Sequence, residues 1–573
     1  MSKKIFVASI LLSQILFATE VKYVEFKNNK NFTDKELYEV LGLKTPSWYE
    51  FYKDKRAKTN IKLIESLQDI LINYYKMEGF YHVNIQKDED NTTVIYNISS
   101  GDGVYIDEVK SNLPKKYHKL INQKKSDRFS ATKFIDSKTN IKKELLLNSY
   151  CNYVLDAKAL VDLEKNSVGL KYVLQKNSPC KFGDISIKLP ENVDEEVVRS
   201  RLNFKKGSLY SSKKVRDAYS SISGLEAFNS IQIKQDKKSE TINLNIDLKR
   251  KSKTIRQEIG VGYETNLGVK GIFKWEQRNF QGGARKISFD LKYSKKEQFI
   301  KNSFYWPAFT KAPIFDDYYL DLKNDFIFSK YEYEKFDESK IANHTHLLKD
   351  YHLFSVDFGL GLERIKIKKT GDICNISDGH FFLLYPFLNL MIDTRDSKIN
   401  PKNGFYSSIY FESGMKFLAS DASYSKLLVE ARAIKSWDRL TLALKGKLGF
   451  ISEFEKQLPE SKRFFAGGSF SNRAYGYNRL GATDSSCDDM GGKTLVDTTV
   501  EANYWIYKKF GVAAFYDSTM ITEKSLDFQI DFNHAVGVGI RYLTPIGPVK
   551  IDFGMDIENH DQYALHFQIG QSF

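Results

Sequence analysis

The chain has 573 residues, of which 28% are charged, 42% hydrophobic and 14% aromatic, with a mean hydropathy of −0.42. This mean hydropathy excludes a bundle of membrane-spanning helices, since each such helix needs about 20 mostly apolar residues, and the hydrophobic content excludes a disordered chain. The net charge of +14 comes from dispersed lysines, which favours a solvated surface over a nucleic-acid site. We therefore expect no nucleic-acid partner.

The first 18 residues have the pattern of a secretory signal peptide. Lys3 and Lys4 precede a mostly apolar run, Ile5–Phe17, which is followed by the small residue Ala18. This apolar run is too short to cross a bilayer comfortably, and its flanks fit an export signal. We expect residues 1–18 to be a signal peptide and the rest of the chain to be exported.

Between residue 19 and about residue 250 the sequence predicts a mixed α and β pattern that recurs three times. The first copy has a strand over Val21–Phe26, a capping box formed by Thr33 and Glu36, and a helix over Ile61–Tyr75 with apolar residues at helical spacing. Each copy is a small βααββ module of about 77 residues. The predicted boundaries are 19–102, 103–177 and 178–252.

The second and third copies differ in how clearly their elements can be read. In the third, helices are predicted over Val193–Leu202 and Ser211–Ser223. In the second, the pattern predicts a helix near Ile141–Val154 and a strand near Val168–Leu174. The four cysteines of the chain allow three pairings, and their spacing selects none of them; they are Cys151, Cys180, Cys374 and Cys487.

From residue 253 to residue 573 the helical spacing gives way to strict alternation. Apolar and polar residues alternate over 287–294 and over 440–450, so each strand has one apolar and one polar face. A soluble sandwich also alternates, but faces rich in Lys, Asp and Ser could not form its dry core. At about 20 residues per strand with its loop, this region predicts a 16-stranded antiparallel transmembrane β-barrel.

Several motifs in this region resemble the loop and wall signatures of the BamA/TamA superfamily of outer-membrane assembly and translocation proteins. The segments that carry this resemblance are Arg463–Tyr477, Asp393–Asp396 with Pro401 and Gly404, Gly491-Gly492 with Glu501, Phe515–Asp517 and Pro545–Asp552. The N-terminal copies are similar to the periplasmic POTRA domains of this family. With three such copies and in details of its barrel sequence, the chain is most similar to the TamA type, the outer-membrane subunit of the translocation and assembly module.

The resemblance implies that a long extracellular loop folds back into the barrel lumen. Its arginine would be Arg473, its main carboxylate partner Asp517 and a second one Glu501, with Tyr475 packed beneath. An arginine fork and a carboxylate match each other as bidentate partners. The loop departs from the family pattern where Ala474 replaces a glycine, and a second expected glycine is replaced at residues 518–519.

The resemblance also implies a function and a mechanism. The barrel would assist the assembly or secretion of outer-membrane and autotransporter-type proteins, through a lateral seam between its first and last strands. The seam residues would be Gly260, Val261, Gly262, Phe567, Gly570 and Phe573. Implied partners are unfolded client proteins, the lipid bilayer and an inner-membrane-anchored TamB-like protein; the location would be the outer membrane, with the N-terminal domains in the periplasm.

Rival functions remain open at this point. A BamA-type general assembly protein usually has five POTRA units and a two-partner secretion transporter two, while a passive porin has none. His344 and His346 could bind metal, but no further ligand completes a site, and no catalytic constellation is recognisable. We expect no enzyme activity, no metal and no cofactor.

Overall fold

The computed structural model describes residues 21–46, 54–176, 178–264, 268–312, 319–333, 335–350, 353–370, 378–398, 400–455, 458–482, 491–507, 509–528, 531–544 and 547–569. The predicted signal peptide, Cys374 and Cys487 lie outside these residues. In the described part of the chain, no helix combines the length and the apolar character needed to cross a membrane. The chain divides into two compact units, one with residues 1–184, 206–213 and 236–243, the other with 185–205, 214–235 and 244–573.

The first repeat is a sheet covered by two helices. Its sheet has the order β2-β1-β4-β3, with β1 parallel to β4. The predicted capping box is present, since Glu36 N donates to Thr33 Oγ1 and Thr33 N donates to the Glu36 carboxylate. Its elements are β1 (Val21–Lys27), α1 (Asp34–Val40), β2 (Lys58–Asn60), a 3₁₀ turn (Ile61–Leu63), α2 (Ile64–Met77), β3 (Asn84–Glu89) and β4 (Thr93–Ser99).

The second repeat has one strand, two helices and two further strands in chain order, and it corrects one sequence prediction. The helix predicted near Ile141–Val154 instead begins at Ala131, where Ser130 caps it by accepting from Lys133 N, and ends at Leu147. The prediction was wrong because residues 153–162 form an additional strand. The elements are β5 (Tyr105–Ser111), α3 (Lys115–His118), α4 (Ala131–Leu147), β6 (Tyr153–Asp162) and β7 (Ser167–Lys176), in the sheet order β5-β7-β6.

A disulfide joins the second repeat to the residue before β8 (Lys181–Lys188). Cys151, just after α4, is bonded to Cys180, and their Cα atoms are 5.8 Å apart. Next to it, Cys180 N donates to Ser149 O at 2.7 Å. The bond therefore closes a loop that contains both long strands of the second repeat, a pairing that sequence spacing could not select.

The third repeat completes the predicted set of three. Its sheet order is β8-β10-β9, and its first predicted helix is shorter than expected. The elements are β8 (Lys181–Lys188), α5 (Glu195–Arg199), α6 (Ser212–Gly224), β9 (Phe228–Lys238) and β10 (Thr241–Arg250). With three βααββ units, the N-terminal part of the predicted fold class is confirmed.

The C-terminal region is one antiparallel sheet of 16 strands in chain order. Its first and last strands lie side by side, with Cα atoms within 8 Å of each other, so the sheet closes into the predicted barrel. The strands are β11 (Ile255–Glu264), β12 (Gly268–Arg278), β13 (Lys286–Tyr293), β14 (Glu297–Lys311), β15 (Tyr319–Glu332), β16 (Phe336–Asp350), β17 (Phe354–Lys369), β18 (Gly379–Asp393), β19 (Gly404–Gly414), β20 (Ser423–Trp437), β21 (Leu440–Glu455), β22 (Thr494–Trp505), β23 (Phe510–Thr522), β24 (Asn533–Thr544), β25 (Gly547–Asp556) and β26 (Tyr563–Ile569).

The period-two pattern separates an apolar outside from a polar inside. On β23, Val512 and Tyr516 are exposed, whereas Phe515 and Asp517 between and beside them are buried. The same holds on β22, where Val500 is exposed and Glu501 is buried. Buried carboxylates on a membrane barrel wall need partners, and these partners come from a loop inside the lumen.

Candidate functional site inside the barrel

The lumen loop lies between β21 and β22, where the structure describes residues 458–482 and 491–493. The chain enters the barrel at the start of β11, and because the strands alternate in direction, the eleventh strand, β21, ends at the opposite end of the barrel. The middle of the loop then returns into the barrel: Asn472, Arg473 and Ala474 are each at most 2% exposed. This middle part of the loop therefore lies in the interior of the barrel.

Arg473 is the centre of this site. Its Nε and Nη2 atoms donate to the two carboxylate oxygens of Asp517 at 2.9 and 3.0 Å, and its backbone N donates to the same carboxylate at 3.0 Å. Nη1 donates to Glu501 at 2.6 Å. The ring of Phe515 lies against the guanidinium, with 3.3 Å from Cζ to the ring centroid. The structure thus brings together the arginine and both carboxylates singled out in the sequence.

Further wall residues that the sequence did not single out extend the cluster. Asp552 on β25 accepts from Arg473 Nη1 at 3.4 Å and from Arg541 Nη1. Arg541 on β24 also donates to Glu501 at 3.1 Å, and Lys550 interacts electrostatically with Glu501 and Asp552. Three carboxylates therefore face three cations, so the buried cluster is formally neutral and costs far less than an unpaired charge would.

The loop backbone also fits closely against the wall. A Cβ atom on Gly554 would lie 2.5 Å from the carbonyl oxygen of Arg473, so only glycine leaves room for the loop there. The same carbonyl is within hydrogen-bonding distance of His566 Nε2, at 3.1 Å, and Gln562 Nε2 donates to Ala474 O at 2.9 Å. Ala474 is not in the positive-φ region, so the replacement of glycine at this position requires no strained backbone.

Tyr475 is also placed in the lumen. Its hydroxyl donates to Asp556 Oδ2 at 2.9 Å and lies 3.1 Å from Asn533 Oδ1. The ring in direct contact with the Arg473 guanidinium belongs to Phe515 and not to Tyr475. Phe515 is part of the motif Phe515–Asp517, but no role could be assigned to it from the sequence. Thr519, where the family has glycine nearby, donates to Asp497 at 2.9 Å, so this departure adds a hydrogen bond to the wall.

The predicted seam residues lie on the two strands that end the sheet. Gly260, Val261 and Gly262 pair with β12, and Phe567 pairs with β25. Within the described ranges, no ladder joins β11 to β26, although all other neighbours in this sheet are joined by one. Gly570 and Phe573 fall outside the described residues.

The histidines considered as metal ligands lie on the inner wall. His344 Nε2 is 3.1 Å from the Tyr385 hydroxyl, and His346 Nδ1 is 3.0 Å from Asp357 Oδ1. In the portion of the chain that the structure covers, no group of three or more His, Cys, Asp or Glu side chains could hold a metal ion. These histidines therefore act as hydrogen-bonding groups of the wall.

Comparison with known proteins agrees with this architecture. The Omp85 superfamily domain matches residues 279–573, and the POTRA family, described as a surface antigen variable number repeat, matches residues 19–101 and 180–251. A Treponema pallidum (strain Nichols) protein named "Putative outer membrane protein assembly factor" is 21% identical over 336 residues, which are 54% of this chain. The match spans only 39% of that protein.

A solved structure shows the same fold at low sequence identity. BamA from Haemophilus ducreyi lacking POTRA domains 1–3 has a TM-score of 0.55 at 15% identity, covering 82% of this chain and 99% of that chain. CdiB from Escherichia coli has a TM-score of 0.49 at 10% identity, covering 89% and 97% of the two chains. The fold and lumen loop define an outer-membrane barrel with periplasmic POTRA domains. Since the superfamily domain covers more than half of the chain, the protein belongs to the Omp85 superfamily.

Proposed function

We propose that this protein assists the insertion or secretion of outer-membrane and autotransporter-type proteins through a lateral seam between β11 and β26. One observation carries the proposal: in the described part of the barrel, these adjacent strands have no shared ladder, while all other neighbouring strands do. A backbone hydrogen bond contributes about 0.5–1.5 kcal/mol net in water, and an unmade one costs several kcal/mol in lipid. This seam is therefore the part of the wall that separates at least cost.

The edges with which β11 and β26 face the seam suit a templating role. An unpaired strand edge offers a row of N–H and C=O groups to an incoming strand, which gains main-chain hydrogen bonds by adding to it. The outer faces of both strands are apolar and exposed, as Ile259, Val261, Leu565 and Tyr563 show. A client strand added here would thus already face lipid with one side.

The lumen loop has a defined part in this mechanism. Arg473 contacts β22, β23 and β25, and its carbonyl lies against His566 of β26. The loop therefore holds the last five strands of the barrel, next to the seam, from inside. We propose that this arginine cluster keeps the wall beside the seam in register, and that β26 moves by giving up the contact between His566 and the Arg473 carbonyl oxygen.

The proposal leaves the finer assignment to experiment. Three POTRA repeats fit a TamA-type module that works with an inner-membrane-anchored TamB-like protein. A BamA-type assembly protein and a two-partner secretion transporter are the alternatives with the same architecture. Crosslinking in intact envelopes, followed by identification of the captured proteins, distinguishes these three assignments. A long inner-membrane-anchored periplasmic partner supports the TamA-type module, and a single dedicated secreted partner supports the two-partner secretion transporter.

A seam crosslink tests the mechanism itself. One cysteine is placed on β11 near Val261 and one on β26 near Phe567, at positions with Cα atoms about 4.4–6.8 Å apart. The oxidised barrel should insert normally yet fail to assemble a small eight-stranded barrel client in proteoliposomes, and reductant should restore assembly.

The matched control joins strands that are already paired. Phe553 and Leu565 are ladder partners on β25 and β26, and Phe553→Cys with Leu565→Cys gives a second crosslinked barrel that keeps the seam free. Both proteins retain their native cysteines, so reductant acts on these equally. If the oxidised seam variant assembles clients as fast as this control, the seam is not the route and a passage through the lumen becomes the better account.

A further inference from the structure

A second buried contact holds the lumen loop, on a different set of strands from those that Arg473 contacts. The 3₁₀ turn Glu460–Lys462 places Lys462 Nζ at 3.1 Å from Glu363 Oε2 on β17 and 3.2 Å from Glu412 Oε1 on β19. The same ammonium lies 4.3 Å from the ring centroid of Tyr385 on β18. Lys462 and both carboxylates are buried, so this is an ion cluster inside the lumen and not a surface pair.

The wall around Lys462 is built to receive it. Tyr385 donates to Glu363 at 2.5 Å, and Tyr424 on β20 donates to Glu412 at 3.1 Å. Lys426 Nζ, also on β20, donates to the carbonyl oxygen of Lys462 at 2.8 Å. Both the side chain and the backbone of Lys462 are therefore held, by four consecutive strands.

Apolar packing supports the same contact. Loop residues pack in one buried cluster with wall residues from the stretch β16 to β22; the loop members are Leu458, Phe464, Ala466 and Leu480. On β21, a Cβ atom at Gly449 would lie 2.6 Å from the Phe464 ring, so this wall glycine makes room for the loop. The loop stem thus has an ionic and an apolar attachment to this side of the barrel.

From these contacts we infer that Lys462 is a second anchor, and that the lumen loop is a brace between two parts of the wall, one opposite the seam and one beside it. Lys462 binds strands seven to ten of the ring, centred half a circumference away from β26, whereas Arg473 binds strands twelve, thirteen and fifteen. Release of Arg473 would therefore leave the loop stem tethered to the wall opposite the seam. Lys462 is a positioning residue of the loop, and this role stands whether or not clients pass through the seam.

Local accessibility of the loop tests the inference without any client. Ala466, at the second anchor, and Ala474, at the first, are 3% and 0% exposed. Each is replaced by cysteine in separate proteins, and labelling by a membrane-impermeant maleimide is measured in proteoliposomes. The rate of the protein without the added cysteine is subtracted, which removes the contribution of the native cysteines.

Two anchors predict two independent responses. Arg473→Ala should raise labelling at residue 474 by about tenfold or more, since it breaks a buried ion cluster, and leave residue 466 protected. Lys462→Met should raise labelling at residue 466 and leave residue 474 protected. The double variant should expose both positions and open a pore detected as steady ion conductance. Lys323→Met is the matched control, because Lys323 is a lumen lysine that pairs with Asp325 on its own strand, β15.

Folding failure is separated from loop release by a milder variant. Glu412→Gln keeps the shape and much of the hydrogen bonding of the second anchor but removes one of its two negative charges, and it should raise labelling at residue 466 less than Lys462→Met does. Heat-modifiable mobility of the folded barrel on a gel checks insertion for every variant. The inference is overturned if Lys462→Met labels like Lys323→Met at residue 466, or if Arg473→Ala alone exposes both positions equally.

Discussion

The contact between Arg473 and Asp517 gives the sharpest energetic prediction. Asp517 is 0% exposed and receives three hydrogen bonds from this one residue. Glu501 and Asp552 keep Arg541 as a partner when Arg473 is lost. The penalty of Arg473→Ala should therefore fall mainly on Asp517, which would remain buried without its cation.

The magnitude follows from the environment of this pair. Removing one partner of a buried ion pair typically costs about 3–5 kcal/mol. Arg473→Ala and Asp517→Ala should each approach this range, while the double variant should cost much less than their sum. We expect a coupling energy of about 1.5–3 kcal/mol, in the upper part of the range for residues in contact.

The assay is reversible urea unfolding of the full-length protein in lipid vesicles, followed by tryptophan fluorescence and gel mobility. The cycle compares the free energies of unfolding of the unchanged protein, the two single variants and the double variant. Lys323→Ala with Asp517→Ala is the control cycle, since Lys323 pairs with Asp325 on β15 and lies outside this cluster. Additivity of Arg473→Ala and Asp517→Ala within about 0.5 kcal/mol would refute the reasoning.

Two further predictions concern close packing and the disulfide. Gly554→Val should displace the loop and raise ion conductance, because its Cβ would lie 2.5 Å from the Arg473 carbonyl oxygen. Gly446→Val is the control, since the space around its Cβ is open, and it should leave conductance unchanged. Equal conductance of the two variants would contradict the close fit of the loop at Gly554. Replacing Cys151 and Cys180 by serine should destabilise the N-terminal unit by about 3–4 kcal/mol, from a sequence separation of 29 residues. Hydrogen exchange of the full chain measures this, and unchanged protection of α4 would contradict it.

Sequence reasoning reached the fold because periodicity reports which face of an element is buried. Of the apolar residues at helical spacing in α2, Ile64, Leu67 and Leu71 are buried, whereas Ile70 is exposed, and the helix buries Tyr75 in place of the expected Tyr74. The same reasoning failed at the end of α4, where apolar residues continue into β6. There the local pattern does not distinguish a helix from the strand that follows a short turn, and only pairing with β7 decides it.

Some residues of the interior site could be predicted from the sequence and others could not. Arg473, Glu501 and Asp517 could be named because they belong to recurring motifs, and the structure brings them together. Lys462 has no such motif: its partner Glu412 is 50 residues away in the chain, and Glu363 is still farther. Which wall a loop lysine meets depends on how the ring of strands closes, and no local pattern contains that information.

The bond between Cys151 and Cys180 also bears on the order of events in the life of the chain. Disulfides persist in the periplasm but not in the reducing cytosol. Before export the second repeat therefore lacks this closure and is easier to unfold and thread through an inner-membrane channel. Oxidation in the periplasm then raises the stability of the repeat in the compartment where it must stay folded.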